Sequence, residues 1–154
     1  EFFYNEIPFD NNSLEFKFFL NFHNKIIKKC IPYRTEWRVF DEELKLAGSI
    51  DIVFLRDDNS VIICDWKRSK NIVKENPFQS GKNPLCHIDD CNYWHYSLQL
   101  NIYKFILEKN YSAKVSGLFL VVLHPDQEDY MLIKVPYLIK EVEQILNIRK
   151  LDLK

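Results

Sequence analysis

The chain has 154 residues, 47% hydrophobic and 28% charged, with 21 Lys+Arg against 22 Asp+Glu and a formal net charge of -1. That length and apolar content suffice for one domain with a sizeable core and exclude a disordered chain. The near-balanced charge excludes a global positive field, so any surface that binds phosphates must be local.

Aromatic residues reach 15%, mostly Phe and Tyr, which implies an aromatic-rich core. No apolar run is long enough to span a bilayer. The start Glu1-Phe2-Phe3-Tyr4 has neither the basic region nor the small-residue cleavage site of a signal peptide. Cys30, Cys64, Cys86 and Cys91 are too few for a disulfide scaffold and read as free thiols. These readings point to an intracellular protein of cytoplasm or nucleus, not secreted and without a membrane partner. The chain reads as one domain over 1–154, and its lack of an initial Met is compatible with a piece of a longer protein with further domains.

Residues 1–12 read as an N-terminal arm broken by Pro8. Asn12 or Ser13 can cap a helix in which Phe16, Phe19, Leu20, His23, Ile26 and Ile27 recur at helical spacing to about Cys30, and Pro32 ends it. Three strands follow, over 33–40, 48–55 and 61–67, joined by short turn clusters, and together they predict an antiparallel meander. Residues 68–92 form a long irregular connection with Pro77, Gly81 and Pro84. It carries Arg68, Lys70, Lys74 and Lys82, a local basic density that suits either a phosphate backbone or a solvated loop. A helix over 93–110 has Leu98, Ile102, Phe105 and Ile106 as its core stripe and Gln99 with Tyr103 on another face. Strands over 115–124 and 130–135 and a helix over 138–150 complete the chain.

The stretch Val61-Ile62-Ile63-Cys64-Asp65-Trp66-Lys67 runs four apolar residues into Asp-x-Lys. On a strand Asp65 and Lys67 point to one face. Desolvating such a charge costs several kcal/mol unless it is paired or holds a metal. By itself the motif fits a salt-bridged strand end, or an acid that holds a divalent cation beside a lysine that serves phosphodiester hydrolysis. Symmetric pairing about Asp58 sets Leu55 against Val61, Val53 against Ile63 and Asp51 against Asp65. Opposed carboxylates repel, and a cation between them removes the repulsion. A four-residue tip at 42–45 likewise sets Phe40 against Ala47 and Glu36 against Asp51. Cys86, His87, Cys91 and His95 are close in sequence, but Cys86-x4-Cys91 is a poor zinc spacing and no second pair follows.

The order helix, meander, helix, strand carries Glu36, then Gly48-Ser49-Ile50-Asp51, then Asp65-Trp66-Lys67, then Gln99-Leu100-Asn101-Ile102-Tyr103. This set resembles the PD-(D/E)XK nuclease superfamily, and Gln-x-x-x-Tyr resembles its RecB-like branch, which includes lambda-type exonucleases. Residues 84–103 are also similar to nucleases of large DNA viruses. The resemblance covers about 13–124, with 125–154 as an extension. It implies an α/β (α+β) fold with a restriction-endonuclease-like αβββαβ core, a mixed central sheet flanked by helices. The implied activity is hydrolysis of DNA, single- or double-stranded, with Mg2+ or Mn2+, in exonuclease-like fashion. In that reading Asp51, Asp65 and the Trp66 carbonyl are metal ligands and Lys67 activates the attacking water. Glu36 is the acid of the first strand, and Gln99 and Tyr103 brace the site or touch DNA. His23, with Glu15 behind it, is the candidate for a metal ligand from the first helix. A satisfied core histidine, a Glu36 paired to Arg34 or Arg38, and an ordinary polar helix face at Gln99 and Tyr103 are the plainer readings. The iron–sulfur cluster of some relatives needs cysteines near the C-terminus, and none follows Cys91. A nuclease fold that binds nucleic acid without cutting it, and an RNA endonuclease of the same fold, are the alternatives.

Overall fold

In the computed structural model, residues 3–8 and 10–154 are described; the part of the N-terminal arm formed by Glu1, Phe2 and Phe9 lies outside them. The elements run α1 (Leu14–Ile26), β1 (Cys30–Asp41), β2 (Leu46–Arg56), β3 (Val61–Lys67), α2 (Asn92–Asn110), β4 (Val115–Val122), β5 (Met131–Lys134) and α3 (Ile139–Asp152). The fold is α+β. One five-stranded mixed sheet, in the order β1-β2-β3-β4-β5, is flanked by helices. All neighbours are antiparallel except β3 and β4, whose parallel pairing needs the long connection and α2 as its crossover.

The expected hairpin registers are present: Leu55 pairs with Val61, Val53 with Ile63, and Phe40 with Ala47. Ser13 is the N-cap of α1, its hydroxyl accepting the Phe16 N–H at 3.2 Å. The end of that helix differs from expectation. It stops at Ile26, and Pro32 lies inside β1, which already begins at Cys30. The physical reason is position. β1 is an edge strand, where a residue without an N–H costs no ladder bond on the open side, and the register shifts between Pro32 and Arg34.

Strand β3 is buried from Val61 to Asp65. Alternate residues feed two cores. Val61 and Ile63 pack with Val53, Leu100, Ile106, Leu107, Leu118 and Leu120 on the α2 side. Ile62 and Cys64 pack with Phe22, Ile52, Phe54 and Val121 on the α1 side. A smaller cluster of Leu44, Val142 and Leu146 seats α3. Among the described residues no helix is long and apolar enough to cross a membrane.

Residues 68–91 contain no named helix or strand, as expected, yet are tied down. Asn92 Nδ2 donates to the Asn71 carbonyl at 3.0 Å, Trp94 Nε1 to that of Lys74 at 3.1 Å, and Asn76 Nδ2 to that of Asp90 at 2.7 Å. The first hairpin is locked to α2 by Asp41, only 1% exposed. Its carboxylate accepts the Leu44 N–H at 2.8 Å and Asn110 Nδ2 at 2.9 Å, and pairs with Lys109 Nζ at 2.9 Å. Burial alone would push this carboxyl up, but the Lys109 ammonium and the Asn110 amide outweigh it and hold it below the ordinary aspartate range.

A carboxyl lowered in the folded state gives stability that is full above its unfolded pKa and is lost as pH falls through the folded one. Asp41→Asn is therefore expected to cost about 1–2 kcal/mol at neutral pH. Urea unfolding of both proteins across pH should show the gap closing only as pH drops below the ordinary aspartate range, about 3.9.

Candidate active site

The β2–β3 ladder ends at Ile52 and Cys64, and the next positions in that register are Asp51 and Asp65. There the strands part. Asp51 Oδ2 replaces a main-chain acceptor and takes the Trp66 N–H at 2.8 Å. In β3 the carbonyl of Lys67 accepts the Leu123 N–H, on the β4 side. By the alternation of a strand, both the N–H and the carbonyl of Trp66 therefore point towards β2 and Asp51.

Asp65 is 6% exposed. Lys67 Nζ lies 2.6 Å from its Oδ2, near enough for an ion pair. That oxygen is fully buried and lacks a well-directed hydrogen bond. Burial pushes the Asp65 carboxyl above the ordinary range, against the opposing pull of Lys67. Asp51 is raised for the same first reason, with the Asp65 charge adding to it and the Trp66 N–H and Lys67 opposing it. Two desolvated acids beside one ammonium make a pocket of excess negative charge.

The opposite wall comes from α2. Tyr103 is buried, its hydroxyl accepts from Gln99 Nε2 at 3.2 Å, and burial, then Asp65 and Asp51, raise its phenol. Its ring packs on β2 at Gly48, where an added Cβ would lie 2.4 Å from Tyr103 Cε1. One turn before Gln99, the ring of Tyr96 has Lys67 Nζ over its face, 4.3 Å from the centroid. Tyr96, Gln99 and Tyr103 are spaced i, i+3, i+7 and share a helix face. The spacing puts Tyr96 on the face of Gln99 and Tyr103, but does not by itself say that this face meets Lys67.

The structure thus brings Asp51, Asp65, Trp66, Lys67 and Tyr103 together, with Gln99 joined through Tyr103. It does not do so for the other candidates. Glu36 falls between the pairs Thr35–Ile52 and Trp37–Ile50, but its φ of 46° breaks the strand alternation. Its exposed carboxylate accepts from Ser49 Oγ at 3.3 Å. His23 sits in an aromatic cluster, its ring 4.8 Å from Phe3, 5.4 Å from Tyr4 and 6.1 Å from Phe19, with Nδ1 3.3 Å from the Tyr4 hydroxyl. Tyr4 packs on Phe54, and Phe19 on Trp66, so this cluster covers the sheet face opposite to that of Asp65 and Lys67. Burial lowers the His23 imidazole, as befits a core histidine. A hydrogen bond from its own backbone N–H, and then one from Arg68 Nε at 2.9 Å, hold the Glu15 carboxyl below the usual range. Cys86 is exposed and Cys91 buried, while His87 bonds Glu141 and His95 bonds Asp90. Among the described residues no three His, Cys, Asp or Glu side chains converge as a ready-made metal cluster.

No family model and no curated protein matches this sequence. Among solved structures, the chain is similar to a crystal structure of a candidate exonuclease from Eubacterium rectale, with 14% identity and a TM-score of 0.49 over 89% of this chain and 49% of that one. It is also similar to the structure of SSO0001, with 18% identity and a TM-score of 0.38 over 88% of this chain and 57% of the other. The chain thus spans about half the length of each. Likenesses this distant carry no chemistry across, and the functional reading rests on the residues themselves.

The contact between Gly48 and Tyr103 can be measured. Gly48→Ala is expected to destabilise the protein by about 1–3 kcal/mol through overpacking. In a Tyr103→Ala background the same change should cost under about 1 kcal/mol, so a double-mutant cycle by thermal or urea unfolding reads the clash directly.

Proposed function

We propose that this chain is a divalent-metal-dependent nuclease of the PD-(D/E)XK type, RecB-like branch, that hydrolyses DNA phosphodiester bonds in exonuclease-like fashion. The observation that carries the reading is the pairing of two desolvated carboxylates, Asp51 and Asp65, at the point where β2 and β3 part, with Lys67 against the second. No packing role explains two acids sharing one ammonium in that position.

The donor set fits Mg2+ or Mn2+. Asp51, Asp65 and the Trp66 carbonyl are hard oxygen donors, and both carboxyls are raised by burial, so a cation between them would favour their charged forms. Few protein ligands suffice for Mg2+, which keeps several waters and takes one or two carboxylates. Bound there, the ion would supply Lewis acidity and neutralise charge at the scissile phosphate. The chain's own groups do the rest. The Lys67 ammonium has donors to orient a water and to stabilise charge that develops on the phosphate oxygens. Asp51 holds the Trp66 backbone so that its carbonyl stays aimed into the site. Tyr103 and Gln99 close the site from α2. His23 is left out of the ligand set, because its ring faces the other side of the sheet.

A second reading keeps the fold and the nucleic acid but not the chemistry. It is favoured by the lack of a third acidic or histidine side chain at the site among the described residues.

Digestion of end-labelled linear DNA, circular DNA and RNA with Mg2+ or Mn2+ separates these readings. Wild-type protein should cut linear DNA. Asp51→Asn, Asp65→Asn and Lys67→Ala should each lose at least about a hundredfold in rate while keeping wild-type circular dichroism. Calorimetric titration with Mn2+ should show binding that Asp51→Asn and Asp65→Asn weaken. An Asp51→Asn protein that cuts at the wild-type rate would sink the nuclease reading, and a wild-type protein that binds DNA but neither ion would establish the second.

A further inference from the structure

Among the described residues Lys67 touches an anion, Asp65, and a neutral ring, that of Tyr96. Its ammonium sits 2.6 Å from Asp65 Oδ2 and 4.3 Å from the centroid of the Tyr96 ring. We propose that Tyr96 is a positioning residue, whose ring face holds the Lys67 ammonium beside the carboxylate pair, ready for the phosphate. The proposal rests on the nuclease reading and adds to it a residue outside the motif that suggested that reading.

The argument is one of competition. A lysine head is a compact charge on a stem of four carbons, and a single ion pair fixes it poorly. A cation taken up by Asp65 would compete for Oδ2, so the ion pair weakens just when the lysine is needed. A ring face attracts an ammonium through its quadrupole and binds no hard divalent ion. Lys67 is only 19% exposed, so this attraction acts with little water in between.

The fold holds Tyr96 in place for this role. It lies on the helix face of Gln99 and Tyr103. Its neighbour Ser97 is fully buried and donates to the Tyr93 carbonyl at 2.7 Å. Two residues earlier, Trp94 Nε1 donates to the Lys74 carbonyl at 3.1 Å. The first turn of α2 is therefore fixed to the connection that leaves β3 at Lys67. Plain core packing would also account for a half-buried tyrosine, so the test must separate ring electrostatics from bulk.

Tyr96→Leu removes the π face and keeps an apolar side chain; Tyr96→Phe keeps the face and drops the hydroxyl. With 13C-labelled lysine, the Lys67 CεH2 signal is assigned by its loss in Lys67→Arg. Ring current should hold its protons upfield in wild type and Tyr96→Phe, with and without Mg2+, and the shift should vanish in Tyr96→Leu. On linear DNA with Mg2+, Tyr96→Leu should lose about 3- to 30-fold in kcat with KM within about twofold, and Tyr96→Phe should stay within about twofold of wild type. The proposal is overturned if the Lys67 signal is the same in Tyr96→Leu as in wild type, if kcat does not fall in Tyr96→Leu, or if Tyr96→Phe is as impaired as Tyr96→Leu. A wild-type protein that cuts nothing overturns the nuclease reading and with it the role of Tyr96, while the shift still reports whether the contact exists. A wild type that cuts beside an unaffected Tyr96→Leu removes the Tyr96 proposal alone.

Discussion

The Trp66 N–H is bonded to a side chain where a central strand would normally use backbone. Asp51 Oδ2 accepts it at 2.8 Å, just past the last β2–β3 pair. This substitution lets two neighbouring strands separate without orphaning a buried donor, which would cost about 1–3 kcal/mol. It also commits one oxygen of Asp51 to the protein. On its far side β3 runs in continuous register with β4 from Ile62–Gly117 to Lys67–Val122. The position of Asp65 and Lys67 is therefore set by one neighbour and the opening of the site by the other. Either acid alone could be an accident of sequence, whereas an acid that also takes the N–H of the residue next to the other acid is a built arrangement.

Helix α2 packs across that opening through Tyr96 and Tyr103, and its placement depends on contacts far from the acids. Gly48 is bare so that Tyr103 can reach the strand surface. Asn101, buried on the same helix, donates to the Pro136 carbonyl at 2.9 Å and accepts the Leu138 N–H at 2.8 Å, which ties α2 to the start of α3. At its other end Lys109 and Asn110 hold Asp41, and Arg149 of α3 donates to the Leu44 carbonyl at the hairpin tip at 3.1 Å. The C-terminal strand and helix thus brace the helix that carries Tyr96, Gln99 and Tyr103. A polar core residue such as Asn101 is costly unless fully bonded, and here its amide has three partners.

The parts of this structure that were legible from sequence are those governed by local rules. Turn clusters at 42–45 and 56–60 set both hairpin registers, and hence put Asp51 and Asp65 at corresponding positions just past the last β2–β3 pair. What escaped was governed by neighbours. Pro32 reads as a helix stop, yet only the open edge beside β1 decides that a strand tolerates it. Helix α1 carries phenylalanines at 16, 18, 19 and 22, and the spacing that groups His23 with Phe16 and Phe19 does not say which side of the sheet that face meets. The register that sets Glu36 opposite Asp51 holds on both sides of it, but no local rule announces the left-handed φ that breaks the alternation at that residue. Tyr96 meets Lys67 only because a long connection folds α2 back across β3, and no spacing rule reaches across such a loop.

The charge balance at the site then bears on what it is for. Two carboxyls are raised by burial, against the pull of the Lys67 ammonium, so the folded protein holds an electrostatic cost there. Elsewhere the same chain satisfies its buried charge well: Asp41 has a lysine, an asparagine and a backbone N–H, and its carboxyl is lowered. The contrast lies within one protein and one sheet, so it cannot be laid to a chain that packs its charges carelessly. Sequences that agree with their fold at every level tend to break local rules only where function demands it. Apolar Ile63, Val53 and Leu120 surround the site and have the stability to carry that cost. What would relieve it is a proton on one acid, or positive charge beside their oxygens beyond that of Lys67.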